Sequence, residues 1–244
     1  MSSQHQPQGA AMDFEAFDRL ARSRRATRHF KKEPIPEGLL ERVLDTTRWA
    51  PSGYNIQPTH FVLSTEADSR YALYKACLEQ PQVLEAPAVV VFTGDRRAVE
   101  NNLEAMLTLE LAEGACDDRY ATMCRKFVGL AFNQGPLGIG WLGKLLVAPL
   151  MRLSKPTPSI PAVHKRYWLC KQVMLGAMTF MLAAEAAGLA TIPMEGFDEG
   201  RVRKALGIPR SHIVPVVIPV GYAESQNLKK TRLPLAGMMH KEGW

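Results

Sequence analysis

Two compact clusters of basic residues stand out as candidates for chemistry. Arginine presents a planar pair of donors that can hold two phosphate oxygens at once, and each charge-assisted hydrogen bond contributes about 1.5–3 kcal/mol. Each cluster taken alone is also compatible with a solvated basic surface. Together they would suit a buried phosphate monoester if the fold brings them into contact, which their spacing does not establish. The clusters are Arg24, Arg25 and Arg28 in one turn, and Lys229, Lys230 and Arg232 in another.

The second candidate is a polar turn over residues 50–58, with the sequence APSGYNIQP. Prolines and a glycine favour a turn here, and Ser52, Asn55 and Gln57 follow Pro51 with hydrogen-bonding side chains. Such a turn can hold the polar edge and the hydroxyl groups of a planar heterocycle. The alternative is an Asx-type turn with a purely structural role.

The third candidate is the segment GLATIPMEGFD over residues 188–198. An extended run that ends at a glycine can place backbone amides beside a flat ligand, because glycine lets the chain approach closely. The alternative is an ordinary connection from strand to helix, with Asp198 as the N-cap. The residues that would face a ligand are Pro193, Met194, Glu195 and Gly196.

Helical and strand patterns alternate along the chain that must position these groups. Helices are predicted over about 13–22, after 34–37, and over 70–78, 101–114, 125–131, 167–188 and 199–206, and strands over 60–64, 88–93 and 213–220. The prolines of the last strand suggest an edge position or a bulge. Few strands and long helices favour an α+β layered fold over a doubly wound parallel sheet, and no GxGxxG motif supports a Rossmann site.

The composition narrows the set of partners and compartments. The formal net charge is +6, a surplus that nucleic acid, an anionic membrane surface or anionic small molecules can explain. Nucleic acid is disfavoured, because the sequence has no long basic run and no zinc-finger spacing. The four cysteines form no CxxC pair, which predicts free thiols and a cytoplasmic protein. No uninterrupted apolar run reaches membrane-spanning length.

The domain organisation is predicted to be simple. Residues 1–12 are polar and read as a disordered tail rather than a targeting signal, and residues 13–244 as one domain. An apolar, then Pro-rich stretch over 133–161 is predicted to be an insertion. Three interpretations of it stay open: an ordered lid over an active site, a surface segment that rests on a membrane or a partner, and a mobile loop. We favour the lid over membrane contact.

Four segments in this order resemble the FMN-dependent nitroreductase family. They are RRATRHF, APSGYNIQPTHFV, YWLCKQVMLGAMTFMLAAEAAGLATIPMEGFD and VIPVGYAESQNLKKTRLP. The resemblance runs from about residue 13 to residue 235, with 133–161 largely outside it. It implies an α+β sandwich with a mainly antiparallel central sheet flanked by helices. It also implies an intertwined homodimer in which each FMN lies between the two subunits.

The resemblance also implies a role for each candidate residue. Arg24 and Arg25 match the turn that binds the phosphate and ribityl chain, and Arg28 matches the basic residue near the pyrimidine side of the flavin. Ala26 stands where family members usually have serine, so one hydroxyl contact is missing. A polar residue ahead of the strand AVVVFT often touches the ring. Gln80 and Gln82 both qualify.

Three further groups complete the implied site. The loop that the other subunit lays against the flavin in this family is matched by Pro51, Ser52, Asn55 and Gln57. The strand whose backbone faces the ring and bonds its N5 atom is matched by Pro193, Met194, Glu195 and Gly196. The C-terminal phosphate clamp is matched by Lys230 and Arg232.

The implied function is ping-pong hydride transfer. NADH or NADPH reduces the flavin, and an electron-poor acceptor such as a nitroaromatic or a quinone is reduced in turn. The alternatives are reductive dehalogenation, enone reduction or flavin breakdown on the same scaffold, and a non-catalytic flavin-binding or membrane-associated protein. No metal is expected, because the histidines are scattered along the sequence and read as ordinary surface or core residues.

Overall fold

A computed structural model describes residues 13–132, 164–225 and 229–244, together with residues 142–143, 145–146, 150, 153–154 and 156. Residues 1–12 lie outside the described residues, and so does most of 133–161. The disordered tail and the three interpretations of the insertion therefore stay predictions.

The described residues form eight α-helices and four β-strands. The helices are α1 (Phe14–Ser23), α2 (Leu39–Thr47), α3 (Ala67–Ala76), α4 (Gln82–Glu85), α5 (Ala98–Ala112), α6 (Asp118–Phe132), α7 (Lys165–Ala186) and α8 (Glu199–Leu206). The strands are β1 (Thr59–Ser64), β2 (Ala88–Asp95), β3 (Ala190–Thr191) and β4 (His212–Gly221), and short 3-10 turns cover Gly53–Asn55 and Leu235–Gly237. The predicted α+β class is confirmed.

The four strands form one sheet in the order β1-β2-β4-β3, and every neighbouring pair is antiparallel. Phe61 faces Phe92 across the first pair, Val91 faces Val217 across the second, and Thr191 faces Val220 across the third. The antiparallel order confirms the predicted sheet and agrees with the lack of a Rossmann motif.

One of the two prolines of β4, Pro215, marks a bulge. Between the pairs Phe92–Val216 and Gly94–Ile213 the register shifts, so two residues of β4 lie opposite one residue of β2. Pro215 lies at this point, where a missing N–H costs the ladder little. The bulge is thus confirmed, whereas the edge position is wrong, because β4 lies between β2 and β3.

Each face of the sheet is covered by helices, which makes a layered core. All eight residues of β2 are buried. On one face, Val89 and Val91 pack with buried residues of α3, α4 and α8. On the other face, Val90 and Phe92 pack with buried residues of α2 and α7. A third cluster joins α5 and α6 around Ile56, which holds the polar turn.

Helix α7 is the central helix of the second layer. By length and composition alone, it is long and apolar enough to cross a membrane. Here its apolar residues serve the core instead: Val173, Ala177 and Phe180 are fully buried against the sheet. The ring of Phe180 meets that of Phe92 edge-on, with centroids 5.4 Å apart.

One helix boundary and one short helix differ from the sequence expectations, each for a physical reason. Helix α6 begins at Asp118, two turns earlier than predicted. Its early buried positions are Ala121 and Cys124, small residues that leave a weak apolar signal. The four-residue helix α4 was not predicted, since one turn is too short to show a period.

We expect Gly94→Ala to lower the free energy of unfolding by about 1–3 kcal/mol. A Cβ at Gly94 would lie 2.9 Å from Cγ2 of Val173 and 3.3 Å from Cγ1 of Ile213. Both neighbours are β-branched and stiff, so neither yields easily. Urea denaturation at fixed protein concentration measures the loss. Gly129→Ala is the matched control, because none of the described parts of the chain lies within 4 Å of a Cβ placed there and alanine favours the helix. Equal stabilities of the two variants would contradict the packing argument.

Candidate functional site

The first basic turn runs from the end of α1 alongside β3. The N–H of Arg24 bonds the carbonyl of Leu20 and ends the helix. Ala26 then bridges Thr191 in parallel, and the N–H of Thr27 donates to the Thr191 carbonyl at 3.1 Å. The turn is therefore fixed beside the segment that continues from β3 to Gly196.

The second basic cluster reaches the first through Lys230. Its ammonium group bonds the carbonyls of Arg22, Ser23 and Arg24, the last at 3.1 Å. These carbonyls lie at the C-terminal end of α1, where the helix dipole favours a cation. The structure thus brings the two clusters together within one chain. The three donors of Lys230 point at backbone, so this residue acts as a tether between the C-terminal segment and α1.

The charges at this junction repel one another. Burial lowers the pKa of Arg24, and the charge of Arg232 lowers it further, while Glu185 opposes both effects. The pKa of Lys230 is also lowered, first by desolvation and then by the nearby arginines, again against Glu185. Arg24 is half-buried, and its Nη1 lies 3.7 Å from Sδ of Met181 in α7. An anion bound here would relieve this repulsion.

A cavity of about 570 Å³ opens where this turn meets the segment after β3. Several residues singled out from the sequence line it together, although they lie far apart along the chain. The lining residues are Arg28, His29, Gln80, Pro81, Gln82, Ile192, Pro193, Met194, Glu195 and Gly196.

One wall of the cavity carries unpaired backbone donors. Met194 is locked to β4 by two backbone bonds with Val217, of 2.9 and 3.0 Å. Pro193 has no N–H to offer. Within the described part of the chain, the amides of Glu195 and Gly196 donate to no acceptor, and both residues are exposed. The wall therefore offers two adjacent N–H groups on a segment that the sheet holds in place.

The sequence did not decide whether Gln80 or Gln82 contacts the flavin, and both residues line this cavity. Gln80 donates through Nε2 to the carbonyl of Gly196 at 2.8 Å, which fixes the turn that presents the free amides. Gln82 is buried, and its Nε2 bonds Oε1 of Gln80 at 3.0 Å and lies 3.7 Å from Sδ of Met194. The pair forms one hydrogen-bonded unit behind the wall.

The polar turn over 50–58 lies elsewhere in the chain. Its Pro51, Ser52 and Gln57 line a separate cavity of about 110 Å³ beside α7, and the two cavities share no lining residue. Gln172 of α7 accepts from the N–H of Gly53 at 2.8 Å. The structure therefore does not bring this turn to the larger cavity within one subunit.

The backbone of the polar turn is strained. Tyr54, Asn55 and Gln57 have positive φ values of 56°, 51° and 50°. Asparagine tolerates this region, whereas tyrosine and glutamine rarely adopt it. Side-chain bonds hold the shape: Asn55 donates to Glu110 at 2.8 Å, and Ser52 Oγ accepts from the Gln57 N–H at 2.9 Å. Strain maintained in this way is typical of loops that bind a ligand or a partner.

Behind the cavity wall, Glu199 ties three elements together. Its carboxylate accepts from Arg166 at the start of α7 at 2.8 Å and from Arg203 in α8 at 2.6 Å. The backbone N–H of Val214 in β4 donates to the same carboxylate at 3.1 Å. Burial opposes the ionised form, but these donors outweigh it, so the pKa of Glu199 lies below its usual 4.5.

The sequence model of the Nitroreductase family matches residues 21–222, which is most of the chain. The protein belongs to the nitroreductase family. An NADH dehydrogenase of Thermus thermophilus is 30% identical over 88% of this chain and 90% of its own. An oxygen-insensitive NAD(P)H nitroreductase of Salmonella typhimurium is 28% identical over 80% of this chain and 84% of its own. As a member of the family, the protein is an oxidoreductase.

Solved structures share the nitroreductase fold. A nitroreductase-like protein of Streptococcus mutans superposes with a TM-score of 0.76 and 22% identity, over 95% of this chain and all of its own. A protein of Exiguobacterium sibiricum, solved in complex with FMN, has a TM-score of 0.71 and 20% identity, over 96% of this chain and 99% of its own. The match to the family model ends at residue 222. Lys230, which tethers the C-terminal segment to α1, therefore lies outside the matched residues.

Sequence reasoning missed two features near these sites. Glu199 was placed only as the first residue of a short helix, because its partners are far apart in sequence. The histidines were taken to be scattered, yet the ring centroids of His60 and His212 lie 5.1 Å apart. Both pairings depend on the sheet register, which no local pattern predicts.

Glu199→Gln should lower the free energy of unfolding at neutral pH by about 1–2 kcal/mol, allowing for solvent screening. A depressed carboxylate pKa stabilises the fold above the unfolded pKa, and this contribution is lost as the pH falls through the folded pKa. The difference from the native chain should therefore shrink below pH 4.5. Urea denaturation at a series of pH values measures it. Glu37→Gln, at an exposed residue, is the control. A difference that stays constant down to low pH would contradict the assigned ion pairs.

Proposed function

We propose that this nitroreductase-family protein binds FMN and uses NADH or NADPH to reduce nitroaromatics, quinones or related electron-poor acceptors. One observation carries the proposal: two cationic clusters meet, and the first of them contributes Arg28 to a cavity whose wall offers two free amides. The names of the relatives, which include an NAD(P)H nitroreductase, support the reductant. The related fold solved in complex with FMN supports the cofactor.

The phosphate of FMN fits the charged junction. Arg24, Arg25 and Arg232 would supply the planar donors, because guanidinium groups pair with phosphate oxygens in a bidentate manner. Lys230 would contribute charge rather than hydrogen bonds, since its donors are directed at the end of α1. Desolvation is the first cause that lowers the pKa values of Arg24 and Lys230, and the charge of Arg232 lowers both further. A bound dianion would neutralise this repulsion, which supports the assignment.

The ring of the flavin fits the cavity beside this junction. The amides of Glu195 and Gly196 would donate to the N5 side of the ring, and Pro193 and Met194 would lie along it. Arg28, also on the cavity lining, would face the pyrimidine edge. Its positive charge would stabilise the negative charge that this edge carries after reduction. Gln80 would act indirectly, by holding Gly196.

FMN, when bound, supplies hydride acceptance from NADH or NADPH and hydride donation to the acceptor. The chain supplies binding, orientation and electrostatics. Because one open cavity would serve both reductant and acceptor, we propose that they bind in turn, as ping-pong kinetics require.

The proposed active unit is a homodimer. The polar turn with Pro51, Ser52, Asn55 and Gln57 does not line the flavin cavity of its own chain, so it would serve the cavity of a second copy. Large apolar side chains are exposed on four helices, which is typical of surfaces that associate. They include Phe14, Leu109, Phe127, Leu130, Tyr167, Leu175 and Met178.

The absorbance spectrum of the purified protein tests the proposal. We expect a yellow protein that releases FMN on denaturation and bleaches anaerobically with NADH or NADPH, and size-exclusion chromatography with light scattering should give a dimer. A colourless protein that takes up no FMN on dialysis would overturn the cofactor. A flavin that neither nucleotide reduces would overturn the reductant.

Arg232→Ala should weaken FMN binding about 10- to 100-fold, which corresponds to a lost charge-assisted hydrogen bond. Riboflavin lacks the phosphate, so its weaker affinity should change little. Fluorescence titration of the flavin-free protein with both ligands measures the two effects. Arg210→Ala is the control, because it removes the same charge near the start of β4, away from β3. Unchanged FMN affinity would remove Arg232 from the site.

Gly196→Ala should weaken FMN binding without destabilising the protein. Among the residues that the structure describes, a Cβ at this position would meet only Nε2 of Gln80, at an ordinary 3.5 Å. With a flat ligand bound to the free amides, the same methyl group would crowd the ligand and weaken its binding free energy by about 1–3 kcal/mol. Flavin titration and urea denaturation of the flavin-free protein separate the two effects, with Gly129→Ala as the reference. A loss of stability equal to the loss of affinity would refute a ligand-facing role.

A further inference from the structure

Three strands bring two histidines and an aspartate to one end of the sheet. Asp95 ends β2 and lies directly opposite His212, which begins β4. His60, near the start of β1, lies opposite Thr93 of β2. Because these pairs are antiparallel, the three residues share the end of the sheet away from β3 and the flavin cavity.

The donor atoms of these residues are close enough for one metal ion to join them. One ligand atom from each residue lies within 4.8 Å of the other two. Donors around a tetrahedral zinc ion lie about 3.3 Å apart, given bonds of about 2.0–2.1 Å. Asp95 is buried and His212 is half-buried, whereas His60 is exposed. Rotation of the exposed His60 side chain can therefore close the remaining gap.

Neighbouring groups hold two of the three ligands in place. Asp95 accepts from the N–H of Arg97 at 2.9 Å and from Nδ2 of Asn101 at 2.7 Å, one bond on each oxygen. Each carboxylate oxygen keeps a second lone pair for a metal. Ser211 Oγ lies 3.2 Å from Nδ1 of His212, which favours Nε2 as the free ring nitrogen. Outer hydrogen bonds of this kind are typical of metal sites.

We propose that His60, Asp95 and His212 form a binding site for a divalent transition-metal ion of the zinc class. Two imidazoles and one carboxylate are a ligand set that such ions prefer, and they leave a fourth position open to water. The bound ion links β1, β2 and β4, and so stabilises the end of the sheet remote from the flavin cavity.

Zinc titration of the flavin-loaded protein, freed of metals with a chelator, tests this site. We expect one Zn²⁺ per chain by calorimetry, and a Tm that rises with Zn²⁺ concentration because the ion binds the folded state. Co²⁺, used as a spectroscopic probe, should give the visible bands of a four-coordinate site. Zinc binding that is absent, or that leaves Tm unchanged, would overturn the proposal.

Zn²⁺ binding by single-residue variants tests whether the ion binds at these three residues. His60→Ala changes an exposed side chain, and we expect it to weaken Zn²⁺ binding by more than the roughly 10- to 100-fold that loss of an outer-shell partner causes. Asn101→Ala should give that smaller loss. His164→Ala, at an exposed histidine outside the cluster, should bind Zn²⁺ like the native chain. Circular dichroism and flavin content check that each variant folds. Equal binding by the His60 and His164 variants would refute the assignment.

Discussion

Backbone pairing along both sides of β4 determines where the cavity wall, and His212 with Asp95, lie. On one side β4 pairs with β2 over almost its whole length. On the other it pairs with β3 and then with Met194. The second set of bonds holds the cavity wall, and the free amides of Glu195 and Gly196 follow from it. A chain that pairs one residue and leaves the next two unpaired can present donors at a defined position without a dedicated side chain.

Repulsion between like charges at the junction of the two basic clusters opposes the folded arrangement. Four cations lie near one another, and Glu185 opposes the lowering of the pKa values of Arg24 and Lys230. The repulsion is tolerated because Lys230 lies against the negative end of α1, whose carbonyls offset part of the cost. The folded chain therefore stores electrostatic repulsion at one place, and a phosphate would be bound most tightly there.

The sequence predicts the architecture well where the signal is local. The strand AVVVFT and the long helix α7 are predicted correctly because each is a run of mostly apolar residues of suitable length. Arg28 and the 193–196 segment, which the family resemblance assigns to one site, line the same cavity. The hydrogen bonds of Lys230 to three backbone carbonyls could not be predicted, since they depend on the path of the C-terminal segment. The bulge at Pro215 was foreseen as one of two options, and only the sheet order excludes the edge position.

The Lys230 tether has a consequence for biosynthesis. The arginines of the first cluster are translated well before the lysine that bonds the end of α1, since Arg24 and Lys230 are 206 residues apart in the sequence. A nascent chain can build the sheet and the cavity wall before this bond forms. Its cationic junction is completed only once Lys230 has been made, so this junction forms later in synthesis than the sheet.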